Sequence, residues 1–150
     1  MTEPNKPLEQ MTAQERLDLG TSYFKEGKFD EAIAVLKTIS TSEDPTIYAL
    51  SQNLLGSIYM MSLGRLDEAI TAWSEITRDD DPKTYAGAQL NLGNAYCVQN
   101  KLDEAITVWS KITRDDDPKT YARAQLNLGT AYASQDNLND AITAWSSTRR

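Results

Sequence analysis

Two acidic runs, Asp79-Asp80-Asp81 and Asp115-Asp116-Asp117, are the densest groups of metal-binding side chains in the chain. Carboxylates so close together could hold a divalent cation. A calcium loop, however, alternates its oxygen donors and carries a Gly at its sharp turn, and neither run does so. Each run is followed by a proline, Pro82 or Pro118. An Asp before Pro has another use: it caps the free amides of a helix that begins there, near the positive end of the helix dipole. Capping is therefore the expected role. Trp73, Trp109 and Trp145 recur every 36 residues. An aromatic platform for nucleotides or quaternary amines would use such rings, but the regular interval points to a repeated core position. Cys97 is the lone cysteine, and the chain has no His. With no base to activate it and no basic neighbour, an inert thiol is expected. The usual zinc ligand sets and an intrachain disulfide are excluded. No cofactor is called for, and no motif points to Ser-Lys or paired-carboxylate catalysis. An enzyme is the least favoured class.

The whole composition fits one soluble folded domain. The chain has 150 residues, 40% of them hydrophobic and 25% charged, with a formal charge of −7. That charge argues against a general affinity for nucleic acid or anionic membranes. No apolar run approaches the roughly 20 residues of a membrane span. The N-terminal stretch MTEPNKPLEQM has no apolar centre and is not expected to act as a signal peptide. A reducing, cytoplasmic setting is the expectation.

The chemistry-bearing residues sit inside a repeated unit. Arg65–Asn100 is followed at once by Lys101–Asp136, and 28 of 36 aligned residues are identical. A fixed period of this size marks a stacked repeat. Met1–Met11 reads as a disordered tail. Thr12 and Glu15 fit a capping box, after which Leu17, Gly20, Tyr23 and Phe24 keep helical spacing. Phe29–Ile39 is expected to be the second helix. Asp44-Pro45, Asp81-Pro82 and Asp117-Pro118 open the next three first helices. Their partners are expected at Leu66–Thr77, Leu102–Thr113 and Leu138–Thr148, which makes eight helices and no strand. Gly20, Gly56, Gly93 and Gly129 each precede a Tyr by three residues, and the Gly spacings are 36, 37 and 36. The one extra residue is expected in the turn after Met60, where an insertion is tolerated.

The order Leu-Gly-x-x-Tyr, then Ala, then a bulky residue, then Pro resembles the tetratricopeptide repeat. It is carried by Leu19-Gly20, Tyr23 and Ala32; by Leu55-Gly56, Tyr59 and Ala69; by Leu92-Gly93, Tyr96 and Ala105; and by Leu128-Gly129, Tyr132 and Ala141. The resemblance covers about residues 12–150, in units of about 12–44, 45–81, 82–117 and 118–150. It implies an all-α fold, a right-handed α-solenoid of four helix-turn-helix pairs. The unit departs from the family's 34 residues. Arg16, Gln52, Gln89 and Gln125 stand where an aromatic is common, and Ile39, Ile76, Ile112 and Thr148 where a small residue is common. Gly and Ala would let paired helices approach, with Trp filling the space between pairs; burying each Trp is worth about 2–3 kcal/mol.

The resemblance also implies a peptide-binding groove lined by the first helices. Carried over by position, it comprises Gln14, Leu17, Asp18, Thr21 and Phe24; Leu50, Asn53, Ser57 and Met60; Leu90, Asn91, Asn94 and Cys97; and Arg123, Leu126, Asn127 and Thr130. Amides suit an extended peptide, since each offers a donor and an acceptor. The clamp of chaperone-binding family members needs Lys and Asn where Leu17 and Thr21 stand, so that ligand is not expected. At the C-terminal edge, Ile142 and Trp145 are expected to lie uncovered, as in a fragment of a longer array or a surface for a partner or a second copy. The leading expectation is a non-catalytic interaction scaffold for a protein or peptide, with no nucleic-acid or membrane partner. The alternatives are a module that self-assembles through its terminal edge and a small acidic secretion chaperone; four units, two of them nearly identical, weigh against the last.

Overall fold

The computed structural model describes residues 6–149. Among them are eight α-helices and no strand: α1 (Ala13–Lys25), α2 (Phe29–Leu36), α3 (Pro45–Ser57), α4 (Leu66–Ser74), α5 (Pro82–Val98), α6 (Leu102–Ser110), α7 (Pro118–Ser134) and α8 (Leu138–Ser146). The chain divides into two compact units, Met1–Thr84 and Tyr85–Arg150.

The first helix of each pair starts as its sequence dictates. Thr12 and Glu15 exchange the two bonds of a capping box, each 3.1 Å. Asp44, Asp81 and Asp117 each accept the amide three residues on, from Ile47, Thr84 and Thr120, at 3.1 Å. The acidic runs are thus built into the turns. The middle Asp is engaged as well: Asp80 accepts from the Thr77 amide at 3.0 Å and returns its own amide to the Thr77 hydroxyl at 3.3 Å. Asp116 and Thr113 repeat the pattern at 3.0 and 3.2 Å.

The second helices end sooner than their apolar spacing predicts. They stop at Leu36, Ser74, Ser110 and Ser146. The chain then tightens to three-residue bonds: Ile39, Ile76 and Ile112 donate their amides to Leu36, Trp73 and Trp109 at 3.2, 3.3 and 3.2 Å. Those isoleucines are buried all the same; they are core residues supplied by a turn. Within the expected N-terminal tail, residues 1–5 lie outside the described residues. Residues 6–11 are ordered, contrary to expectation. Leu8–Gln10 forms a 3-10 turn, Met11 is buried, and Lys6 pairs with Glu15 at 2.9 Å.

Each hairpin closes on a glycine. An added Cβ at Gly20 would meet the Leu36 side chain at 2.5 Å. At Gly56, Gly93 and Gly129 it would meet the indoles of Trp73, Trp109 and Trp145 at 2.3, 2.0 and 2.1 Å. The bulky residue therefore lies on the glycine of its own hairpin, not only in the space between hairpins as expected. Trp73 and Trp109 are buried and donate their indole N–H to the carbonyls of Asn53 and Leu90 at 3.3 and 3.1 Å.

The inserted residue is absorbed in helical geometry rather than in the turn. α3 passes into a π-helical segment, Ile58–Ser62, a common home for a single extra residue. Lys28, Lys101 and Asn137 donate their amides to the carbonyls of Tyr23, Tyr96 and Tyr132, five residues back. Arg65 donates to Tyr59, six residues back, at 2.7 Å. The tyrosine carbonyl is the same acceptor in all four hairpins, and the π-helical segment takes up the extra residue while Trp73 stays on Gly56.

In unit Met1–Thr84, Arg16 is buried where the later hairpins carry Gln. It donates to the Thr38 carbonyl at 2.9 Å and pairs with Glu43. Arg16 holds the Glu43 carboxyl below its usual range. In unit Tyr85–Arg150, the core is Ala86, Ala105, Trp109, Ile112, Ala124, Leu128, Ala131 and Ala144.

Candidate functional site

The first-helix faces carry the residues that the resemblance implied. Residues spaced by three, four and seven share one side of a helix, so each set is brought to one face of its own helix. On α1, Leu17, Thr21 and Phe24 are half-buried. The Thr21 hydroxyl donates to the Leu17 carbonyl at 2.8 Å, and the Gln14 amide donates to Asp18 at 2.9 Å. The Phe24 ring stands 6.0 Å from Phe29 of the same hairpin. On α3, Leu50 is exposed while Asn53 and Ser57 are half-buried; Met60 lies in the π-helical segment. This first set is largely occupied with its own hairpins.

The second unit presents more open groups. On α5, Leu90 packs against the core, Asn91 is half-buried, and Asn94 and Cys97 are exposed. On α7, Arg123, Leu126 and Thr130 are exposed and Asn127 is half-buried. Leu126 keeps 50% of its surface accessible. The Thr130 hydroxyl donates to the Leu126 carbonyl at 3.1 Å, so it offers a ligand only its lone pairs. Partial burial pushes the Cys97 thiol pKa up, away from the reactive thiolate. Among the described residues, no group of three or more His, Cys, Asp or Glu is placed to hold a metal ion.

Two features were not foreseen from sequence. The first is a pair of matching clefts on the second-helix side. One, of about 210 Å³, is lined by Gln52, Leu55, Tyr59, Glu68 and Thr71. The other, of about 240 Å³, is lined by the repeat-equivalent Gln125, Leu128, Tyr132, Asp140 and Thr143. The repeat register alone carried that signal, because these residues recur with the glycines. The second is a cleft of about 420 Å³ at the α8 edge, between Arg114, Tyr121 and Ile142. Its Arg114 guanidinium lies 4.9 Å from the centre of the Tyr121 ring and donates to the Ser147 carbonyl at 3.1 Å.

Among the described residues, no helix is long and apolar enough to cross a membrane. A tetratricopeptide repeat family model matches residues 17–83 and 61–119. A domain of unknown function (DUF6340) matches residues 92–148. No curated protein matches the sequence. Among solved structures, one of MamA is 26% identical, covering 91% of this chain and 75% of that one, with a TM-score of 0.69. MamA from residue 41 to its end, from Desulfovibrio magneticus RS-1, is 17% identical over 93% of this chain and 75% of its own, with a TM-score of 0.64. A third, MamA MSR-1 C2, is 20% identical over 95% and 78%, with a TM-score of 0.61. The last two share the fold.

Proposed function

The chain belongs to the tetratricopeptide repeat family, and on that premise we propose that it is a non-catalytic scaffold holding an extended segment of a partner protein on its first-helix faces. The observation that carries this reading is on α5 and α7. Exposed Leu126 stands beside Asn127, and neither Asn127 nor Asn94 makes a side-chain hydrogen bond among the described residues. An amide that serves no local structure can donate to and accept from a peptide backbone. Leu126 adds an apolar contact, and exposed Arg123 adds a fork suited to a carboxylate or a backbone carbonyl. Groups held on helices lose little freedom when a ligand arrives.

Several facts favour binding over chemistry. The sequence has no His, and its one thiol is shifted away from reactivity. The acidic runs serve as caps and turns. A cytoplasmic setting suits a lone exposed thiol. The test is selection of peptides from a displayed library of random 12-residue segments (about that length spans two repeats when extended). Selected peptides are expected to lose at least about tenfold in affinity for the Asn94→Ala, Leu126→Ala, Asn127→Ala triple variant. Equal affinity for the triple variant, with its helical content intact, would reject these residues as the site.

A further inference from the structure

Taking the first-helix faces as the site proposed above, we infer that the partner segment is acidic: Arg123 of α7 pairs with the side-chain carboxylate of an internal Asp or Glu, while the matching place on α5 admits an uncharged residue. The two helices make the comparison themselves. Each has 17 residues, and they differ at four positions. With the α5 residue first, the differences are Gly87 and Arg123, Asn94 and Thr130, Cys97 and Ala133, Val98 and Ser134. Steps of seven, ten and eleven residues keep all four on one side of a helix, the side that carries Leu90 and Leu126. The buried residues beneath, such as Ala88 and Ala124 or Leu92 and Leu128, recur unchanged. Only the first difference alters the charge offered to a ligand.

Charge selects the occupant. Outside α1, the helices divide by sign. α3, α5 and α7 hold Lys83, Lys119 and Arg123 and no carboxylate, whereas α2, α4, α6 and α8 hold two, two, two and one carboxylates and no cation. Lys119 and Arg123 lie four residues apart on one side of α7, and both are exposed. Among the described residues, neither makes an ion pair or a side-chain hydrogen bond. The two carboxylates nearest before them are engaged, Asp116 with Thr113 and Asp117 with Thr120. α7 thus presents a local positive pair on a chain of formal charge −7. The place is open within the repeat itself: a Cβ added at Gly87 would meet nothing within 4 Å. A guanidinium there offers two parallel N–H groups to a carboxylate, and Lys119 adds a second positive charge about one turn away. Gly87 offers no side chain and leaves room for an uncharged residue. Contacts lie on both sides of Arg123, Lys119 before it and Leu126 and Asn127 after it, so the segment runs past Arg123 and its carboxylate is a side chain's.

The test uses the displayed library of random segments. Peptides selected on wild-type protein are expected to carry Asp or Glu at one fixed position. Made with an amidated C-terminus, they are expected to lose at least about tenfold in affinity for Arg123→Gln, the loss of one charge-assisted contact, with helical content unchanged. Replacing the acidic residue by Lys is expected to restore binding to Arg123→Glu. In the Gly87→Arg, Arg123→Gln double variant, the preferred acidic position is expected to move by about three residues, because neighbouring helices lie roughly 10 Å apart and an extended chain advances about 3.3 Å per residue. Peptides that need Asn94, Leu126 and Asn127 but show no acidic preference would overturn the inference and leave the site standing. So would an acidic preference that survives Arg123→Gln, or binding lost on amidation. Peptides indifferent to the Asn94, Leu126 and Asn127 triple variant would reject the site itself, and the inference with it.

Discussion

Glycine is the residue on which each hairpin turns. Gly93 leaves room for Trp109 so tight that a methyl group would stand 2.0 Å from the indole nitrogen. The indole cannot retreat without giving up its bond to the Leu90 carbonyl. Gly93→Ala is therefore expected to cost about 2–3 kcal/mol, by overpacking. Gly87 offers a control in the same helix, because nothing lies within 4 Å of its added Cβ. Gly87→Ala is expected to gain about 0.5–1 kcal/mol through helix propensity and a more restricted unfolded chain. Urea unfolding of the two variants beside wild type checks the pair; equal effects of either sign would refute the seating of Trp109. The importance of these glycines was legible from their fixed spacing to Tyr and Trp. That Trp lies on the glycine of its own hairpin was not, since sequence spacing does not say across which gap a ring reaches. Nor did sequence reveal that the Thr21 and Thr130 hydroxyls donate to their own helices, which leaves Asn94 and Asn127 as the open groups.

Helix starts were readable to the residue because Asp-Pro and the Thr12–Glu15 box leave little choice. Helix ends were not, because Ile39, Ile76 and Ile112 keep apolar spacing while the backbone has already turned. Sequence spacing shows that the second hairpin has one extra residue near Met60–Gly64, but not whether a turn or a π-helical segment takes it up. The helical span decides it: two residues, Leu63 and Gly64, separate Ser62 from Arg65, just as Gln99 and Asn100 separate Val98 from Lys101. Deleting Met61, which is 79% exposed, aligns Gly64 with Asn100 and restores the five-residue closure of the other hairpins. That deletion is expected to leave the melting temperature unchanged or raised, by calorimetry. A fall of 10 °C or more, about 2 kcal/mol for a chain of this size, would mean the π-helical segment is required. The Arg16–Glu43 pair makes a second element-level prediction. A carboxyl whose folded pKa is lowered contributes stability that is present above its unfolded pKa, about 4.3, and is lost as pH falls through the lower folded value. Glu43→Gln removes that contribution, so stability measured from pH 6 to pH 3 should fall less steeply in the variant than in wild type. Parallel curves would show that the pair does not couple to folding.

At the scale of the whole molecule, the chain is a set of small hairpins, none with a core of its own size, made stable by the hairpins beside them. That arrangement was legible because the repeat is nearly exact from Arg65 to Asp136. The matching clefts on the second-helix side were not, because each takes residues from both helices of a hairpin and no single stretch announces it. A fold of this kind offers extended surfaces on which a partner can lie. The account's central claim is that ligand binds the faces of α5 and α7 that carry Asn94, Leu126 and Asn127. Backbone amide chemical shifts, followed while a selected extended peptide is titrated in, test it most directly. The account predicts that the largest shifts fall at Asn94, Leu126 and Asn127. Shifts centred on Tyr132, Asp140 and Thr143, the opposite side of the same hairpin, would contradict it.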